Sequence, residues 1–174
     1  MIIATLRQQD LLPLLAFELE NRAWFEQSVE ARAPDFYTAD GVAAHIADYL
    51  AALRAGTMHP CLLLDEHGAI LGRSNLRDIN ADRHSAEIGY RLGQRHTGQG
   101  LATIALDKMK QLARQQWQLE ELNAYITMQN IASSRVVLKS GFVLQDTAPI
   151  PASIAGEMRD SFHYRCLLNP EPAL

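Results

Sequence analysis

Apolar side chains recur along this chain with two spacings, one typical of helices and one typical of strands. After a short first strand, leucines spaced three and four residues apart predict an amphipathic helix, and a stripe over residues 42–53 predicts a second. Thr38 or Asp40 can cap the second helix, and Gly56 is placed to end it. Between the helices, residues 23–37 are irregular and hold an aromatic cluster of Trp24, Phe25, Phe36 and Tyr37.

The middle of the chain has strand patterns. Two apolar runs flank residues 65–68, which predicts a hairpin with Gly68 in its turn. Residues 87–92 alternate, so that two faces are predicted, one with Ile88, Tyr90 and Leu92 and the other with Glu87, Gly89 and Arg91.

The second half alternates helices with strands. Helical stripes cover residues 101–117 and 131–139, and strand patterns cover residues 122–128, 142–144 and 162–168. The Pro-containing segment 148–156 is predicted to be a surface loop. The order of elements predicts one mixed α/β (α+β) domain over residues 1–174.

Composition narrows the function classes. The chain has 174 residues, 48% of them apolar, and a net charge of −4 without any block of like charges. We therefore expect no nucleic acid partner, and the absence of a signal peptide or a long apolar stretch predicts no membrane association. Cys61 and Cys166 lack the spacing of a zinc or redox site, which favours reduced structural thiols in a cytoplasmic protein.

A glycine pair between a strand and a helix is the first chemical signal. Gly98 and Gly100 can bring backbone amides close to a phosphate, and the helix that follows adds partial positive charge. A nucleotide-triphosphate loop would need Lys and Ser/Thr after Gly98, and a dinucleotide fingerprint would need glycine at Thr103. By itself the pair is also compatible with a plain tight turn.

Two longer motifs carry a family resemblance. Residues 86–92 followed by 95–102 resemble the acetyl-CoA loop of the GNAT N-acetyltransferase superfamily, whose pattern is Gln/Arg-x-x-Gly-x-Gly/Ala. Residues 130–142 resemble the second half of the same site. The combination is similar to the ribosomal-protein N-terminal alanine and serine acetyltransferases, and residues 20–60 and 145–160 match it only loosely.

The resemblance implies a splayed, mostly antiparallel sheet flanked by helices, with acetyl-CoA where strand 87–92 parts from strand 121–128. Acetyl-CoA is the expected co-substrate, its pyrophosphate on the amides of residues 97–102 and its pantetheine along the strand edge near Leu92. The implied cofactor-binding residues are Leu92, Arg95, His96, Thr97, Gly98, Gln99, Gly100, Leu101, Ala102, Asn130 and Ser133.

Acetyl transfer also needs a neutral amine and a proton for the departing thiolate. Ser133 matches the family position whose hydroxyl can protonate the CoA sulfur, and its structural alternative is a helix cap, as it is for Asn130. The Glu87 carboxylate can face the incoming ammonium, although a salt bridge to an arginine such as Arg73 would explain it equally. No tyrosine occupies the family's acid position in the second motif.

No metal is expected, because His84, His96 and His163 each stand alone. The sequence thus predicts an acetyl-CoA-dependent N-acetyltransferase that uses direct attack in a ternary complex, without a covalent acetyl-enzyme. A protein or peptide N-terminal α-amine is the favoured acceptor, entering past residues 23–37 and 148–156. A small-molecule acceptor and a non-catalytic CoA-binding sensor remain as alternatives, and monomer and homodimer are both open.

Overall fold

A computed structural model describes residues 1–168 of the chain. Short 3-10 turns lie at Gln8–Asp10, Pro34–Tyr37 and Gln94–His96. Among the described residues, no helix is long and apolar enough to cross a membrane. The strands and longer helices are β1 (Ile2–Thr5), α1 (Leu11–Phe25), α2 (Ala39–Arg54), β2 (His59–Leu64), β3 (Ile70–Asn80), β4 (Ser85–Leu92), α3 (Leu101–Trp117), β5 (Glu121–Thr127), α4 (Ile131–Lys139), β6 (Val143–Leu144), β7 (Ile150–Ile154) and β8 (Glu157–Leu167).

The strands form one sheet in the order β1-β2-β3-β4-β5-β8-β6, with β7 also paired to β8. Every pairing is antiparallel except that of β4 with β5. The parallel pairing joins Ser85–Glu87 to Glu121–Asn123 and ends there, so that the two strands separate beyond it. This architecture confirms the predicted mixed α/β, mostly antiparallel splayed sheet.

Both faces of the sheet are covered by helices. Leu62 packs with residues of α1 and α2, whereas its neighbours Cys61 and Leu63 belong to clusters that include residues of α3. Because successive side chains of a strand point to opposite faces, α1 and α2 lie across the sheet from α3. Burial raises the pKa of the Cys61 thiol to about 12 and also raises that of Cys166, which leaves both as inert core thiols.

The start of α2 follows the predicted signal. Thr38 Oγ1 accepts a hydrogen bond of 3.0 Å from the backbone N–H of Gly41, so Thr38 is the cap and Asp40 lies inside the first turn. A side-chain cap satisfies an amide that the helix itself leaves unpaired.

We expect Thr38→Ala to lower the free energy of unfolding by about 1 kcal/mol, because it removes this cap bond. Urea denaturation followed by circular dichroism measures the change. Asp40→Asn is the matched control and should cost only a few tenths of a kcal/mol, since it removes only a charge near the helix N-terminus. If Asp40→Asn lowers the free energy of unfolding more than Thr38→Ala does, the assignment of Thr38 as the cap is wrong.

Three sequence predictions need correction. Residues 23–25 belong to α1, so the irregular segment begins only after Phe25. Residues 148–156 are not simply a loop, because Ile150–Ile154 pairs with β8 through a two-residue turn in which Ala155 and Gly156 both have positive φ. Strand β3 extends to Asn80, well beyond the hairpin predicted from the apolar run.

Candidate functional site

The separation of β4 from β5 opens a cleft between the sheet and α4. A first cavity of about 210 Å³ lies in it. Of the predicted cofactor residues, the cavity brings together Leu92, Thr97, Gly98, Ala102, Asn130 and Ser133. Trp24 and Phe25 line the same cavity, whereas Phe36 is buried beside α2 and Tyr37 lies under the Arg22 guanidinium.

The segment between β4 and α3 presents backbone rather than side chains. Gly98 and Gly100 have φ values of 73° and 75°, a conformation that residues with a side chain rarely adopt. Gly100 is the N-cap of α3, and no side chain caps the helix there. Apart from the glycine itself and its two chain neighbours, no atom of residues 1–168 lies within 4 Å of a Cβ placed at either position. The first amides of α3 have no side-chain cap and, like those of any helix start, can receive an anion.

The other predicted residues of this segment lie outside the first cavity. Arg95 is exposed and forms an ion pair of 3.2 Å with Glu20 of α1. Gln99 donates a hydrogen bond of 2.9 Å to the carbonyl of Arg95, which ties the loop to itself. His96 is half-buried, and Leu101 begins α3.

On the edge of β4 that β5 leaves unpaired, one backbone carbonyl already accepts a hydrogen bond from a side chain. The Nε1–H of Trp24 donates a hydrogen bond of 3.2 Å to the carbonyl oxygen of Leu92. This carbonyl is at the strand end where the family resemblance implies the pantetheine arm. Trp24 thus either shares that edge with a ligand or gives way to it.

Asn130 and Ser133 have different positions at the start of α4. The Oδ1 of Asn130 accepts a hydrogen bond of 3.1 Å from the backbone N–H of Ser133, so Asn130 is the cap of α4. Ser133 takes part in this cap through its backbone N–H, so the structural alternative, a helix cap made by the Ser133 side chain, does not apply. Ser133 itself belongs to the wall of the cleft.

Ser133 and Glu87, the two catalytic candidates, line one cavity. This second cavity of about 350 Å³ continues from the first and is also lined by Ser28–Glu30 and by Ala152 and Ile154. The segments predicted to flank the acceptor entry therefore do contribute to the cleft.

The Glu87 carboxylate forms an ion pair, and its partner is Arg77. The suggested partner Arg73 is wrong because the antiparallel register places Arg77 opposite Glu87 and Arg73 opposite Arg91. Arg73 instead contacts Glu18 of α1. The ion pair holds Glu87 at the cleft without burying it completely.

Tyr90 is a site residue that sequence reasoning missed. It lines both cavities, and its buried hydroxyl has no hydrogen-bond partner among residues 1–168. Burial raises the pKa of Tyr90, and the neighbouring Ser133 hydroxyl offsets part of that rise. A polar tip on the otherwise apolar face of β4 was the available signal. Tyr90 remains protonated near neutral pH and can donate its proton.

Metal-ligating residues are not concentrated in the part of the chain that the structure describes. No group of three or more His, Cys, Asp or Glu side chains there has the geometry to hold a metal ion. His163, one of the isolated histidines, is within 2.6 Å of the Oδ1 of Asn123 and stacks on Tyr125.

Comparisons with known proteins agree with this geometry. Residues 1–143 match the model of the acetyltransferase (GNAT) domain. The probable N-acetyltransferase YjcK of Bacillus subtilis (strain 168) is 30% identical over 159 residues, which cover 90% of this chain and 87% of that protein.

Two solved structures show the same fold. The ribosomal-protein-S5-alanine acetyltransferase of Vibrio fischeri superposes with a TM-score of 0.90 at 17% identity, covering 98% of this chain and 94% of the other. The spermidine N-acetyltransferase of Vibrio cholerae, in complex with CoA and spermine, gives 0.79 at 18% identity, covering 96% and 95%.

The predicted family resemblance is confirmed by these matches. The family model covers more than half of the chain, and the curated relative covers most of it. These matches agree with the cleft, the glycine loop and the cap of α4. The chain therefore belongs to the GNAT family and is an N-acetyltransferase.

Proposed function

We propose that the protein transfers an acetyl group from acetyl-CoA to the N-terminal α-amine of a protein or peptide, by direct attack in a ternary complex. The observation that carries this proposal is the shared cavity of Glu87 and Ser133, at the point where β4 and β5 part. One residue there can receive a proton and the other can supply one.

The residues of the first cavity fit acetyl-CoA. Two glycines with positive φ open the loop before α3, and the uncapped helix start offers amides to a pyrophosphate. The edge of β4 beyond Glu87 lacks a β5 partner and can pair with an amide-bearing arm. When bound, acetyl-CoA supplies the activated acyl group as a thioester.

Three side chains of the cleft then have defined tasks. Glu87, held by Arg77, attracts the acceptor ammonium and receives its proton directly or through a water molecule. Ser133 donates a hydrogen bond or a proton to the thiolate, and Tyr90 beside it can resupply that proton.

Neither cysteine of the described residues is suited to form a covalent acetyl-enzyme. Cys61 lies in the core, and its pKa of about 12 keeps it protonated at neutral pH. Cys166 is also buried and has a raised pKa, and neither cysteine lines the first or the second cavity. Direct attack by the acceptor amine is therefore the simpler route.

Two arguments favour an α-amine as the acceptor. An α-amine has a pKa of about 8 and a lysine side chain one of about 10.4, so the neutral nucleophile is far more abundant for the α-amine at neutral pH. The fold is also more similar to the ribosomal-protein alanine acetyltransferase than to the spermidine enzyme, with TM-scores of 0.90 and 0.79.

An acceptor panel tests the proposal. Release of free CoA is measured with short peptides that begin with Ser, Ala or Thr, with polyamines and with free amino acids. We expect the peptides to be turned over and the same peptides with a blocked N-terminus and an internal lysine to remain unmodified. Turnover confined to small molecules would replace this proposal with a small-molecule acetyltransferase, and binding without any turnover would indicate a CoA sensor.

A further inference from the structure

An arginine-lined cavity adjoins the reaction cleft. It has a volume of about 430 Å³ and lies between the segment after α1, strands β3 and β4, and Tyr49 of α2. It shares Glu30, Arg77, Gly89 and Tyr90 with the second cavity, so the two are continuous. A molecule that reaches Glu87 from this side meets the guanidinium groups of Arg32, Arg73, Arg77 and Arg91.

The carboxylates nearby do not balance these four guanidiniums. Glu18 is fully buried, and its Oε1 accepts hydrogen bonds of 2.7 Å from both Arg73 and Arg91. One carboxylate thus serves two arginines, while Glu87 serves Arg77. Glu30 is exposed at the rim, where water screens its charge. Arg32 is left as the cation without a carboxylate partner among the described residues.

Two titratable groups respond to this excess of positive charge. His45 accepts a hydrogen bond of 2.7 Å from Arg73, and burial together with Arg73, Arg32 and Arg91 lowers its pKa to about 2. Burial lowers the pKa of Arg91 to about 10, with Glu18 opposing and Arg73 and Arg32 adding to the effect. The neighbourhood therefore disfavours further cations.

Arg32 and Asn75 line the arginine cavity, and each has a buried polar atom that lacks a hydrogen-bond partner among residues 1–168. The Nε of Arg32 has no hydrogen-bond acceptor, although its guanidinium lies 4.3 Å from the centroid of the Phe36 ring. The Oδ1 of Asn75 has no donor. Buried polar groups are normally paired, so this donor and this acceptor can each take a water molecule or the complementary group of a ligand as a partner.

We propose that the arginine cavity is a subsite for a carboxylate of the acyl acceptor, so that the preferred acceptor carries a carboxylate close to the attacked amine. Arg32 receives the carboxylate, and Asn75 accepts a hydrogen bond from an N–H of the same molecule. The inference rests on the proposed function, because it concerns the acceptor side of that same cleft. The carboxylate comes either from an acidic residue early in a peptide or from the α-carboxyl of a free amino acid, whereas a polyamine brings only repelled charges.

Matched acceptors separate these cases. The ratio of kcat/KM is measured for peptides that begin Ser-Glu and Ser-Gln, and for free serine against serinamide. We expect the carboxylate-bearing member of at least one pair to be preferred by about tenfold or more, as for a hydrogen bond to a charged group. The pair that shows the preference identifies the source of the carboxylate. Equal or better use of the neutral members in both pairs would overturn the proposal.

Variants link the preference to the cavity. Arg32→Gln should bring the preference ratio close to one, and Arg32→Lys should retain part of it because the charge remains. Arg83→Gln, which changes an exposed arginine in the turn before β4, is the control and should leave the ratio unchanged. An unaltered ratio in Arg32→Gln contradicts the assignment.

A binding measurement keeps this test independent of turnover. Calorimetric titration of the CoA-bound protein uses the acetylated product peptides that begin acetyl-Ser-Glu and acetyl-Ser-Gln, together with acetylserine and acetylserinamide. Tighter binding of a carboxylate-bearing product, lost in Arg32→Gln, supports the subsite even if the peptides of the acceptor panel release no CoA. Failure to release CoA would then count against the proposed acceptor alone, and equal binding within both pairs would reject the subsite.

Discussion

Replacing Gly100 with valine is expected to lower the affinity for acetyl-CoA at least about a hundredfold. Gly100 has a φ of 75° at the start of α3, and a β-branched residue there would shift the backbone towards negative φ. The amides that follow would then turn away from the pyrophosphate. Loss of two charge-assisted hydrogen bonds suffices for this effect, because each is worth about 1.5–3 kcal/mol. Gly98→Val should act in the same way.

Gly68→Val is the matched control for this measurement. Gly68 has a φ of 85°, and a Cβ there would likewise meet nothing within 4 Å. It lies in the turn between β2 and β3 and lines none of the cavities described above. Each of the three substitutions should therefore cost about 1–2 kcal/mol of stability. Only Gly98→Val and Gly100→Val should abolish calorimetric binding of acetyl-CoA. Unchanged binding in Gly98→Val and Gly100→Val would refute the placement of the pyrophosphate.

Ser133→Ala is expected to reduce kcat by about ten- to a thousandfold with little change in the KM for acetyl-CoA. A proton donor to the thiolate acts mainly in the transition state, so its removal changes kcat more than binding. The melting temperature should change little, because Asn130 caps α4 through the backbone of residue 133 and alanine preserves that bond. Steady-state kinetics and thermal denaturation measure the two effects.

Ser134→Ala provides the control on the same helix. The Ser134 hydroxyl donates a hydrogen bond of 3.3 Å to the carbonyl of Asn130 and lines neither the first nor the second cavity. It should leave kcat within about twofold, since it removes a hydroxyl outside the cleft. Tyr90→Phe tests the second donor and should lower kcat further in the Ser133→Ala background. A kcat for Ser133→Ala equal to that of Ser134→Ala would remove Ser133 from the mechanism.

The helices next to the site could be located well from sequence because their ends carry local signals. The predicted limits of α3 and α4 agree with the structure, since Gly100 precedes one helix and Asn130 caps the other. Capping and glycine conformation depend on a few neighbouring residues, which the chain itself displays.

The pairing of charges could not be predicted in the same way. Whether Glu87 meets Arg73 or Arg77 depends on the register of β3 against β4, and the shift of four residues between the two keeps every side chain on its face. The sequence around Glu18 does not indicate that this residue is buried either. Its two partners, Arg73 and Arg91, come from β3 and β4, more than fifty residues away. Tyr90 fits the apolar alternation of its strand, and although its hydroxyl is a polar tip on that face, the sequence does not show that Ser133 lies beside it.

The separation of β4 from β5 also leaves part of β4 without a neighbouring strand on one side. Unpaired strand edges can template pairing with another chain, and most sheets blunt or cover theirs. Here the unpaired part of β4 lies inside the molecule, where Trp24 of α1 bonds the Leu92 carbonyl and residues of α4 form the opposite wall. The helices that build the reaction cleft thus also shield an aggregation-prone edge, and a ligand small enough to enter can use backbone groups that a second chain cannot reach.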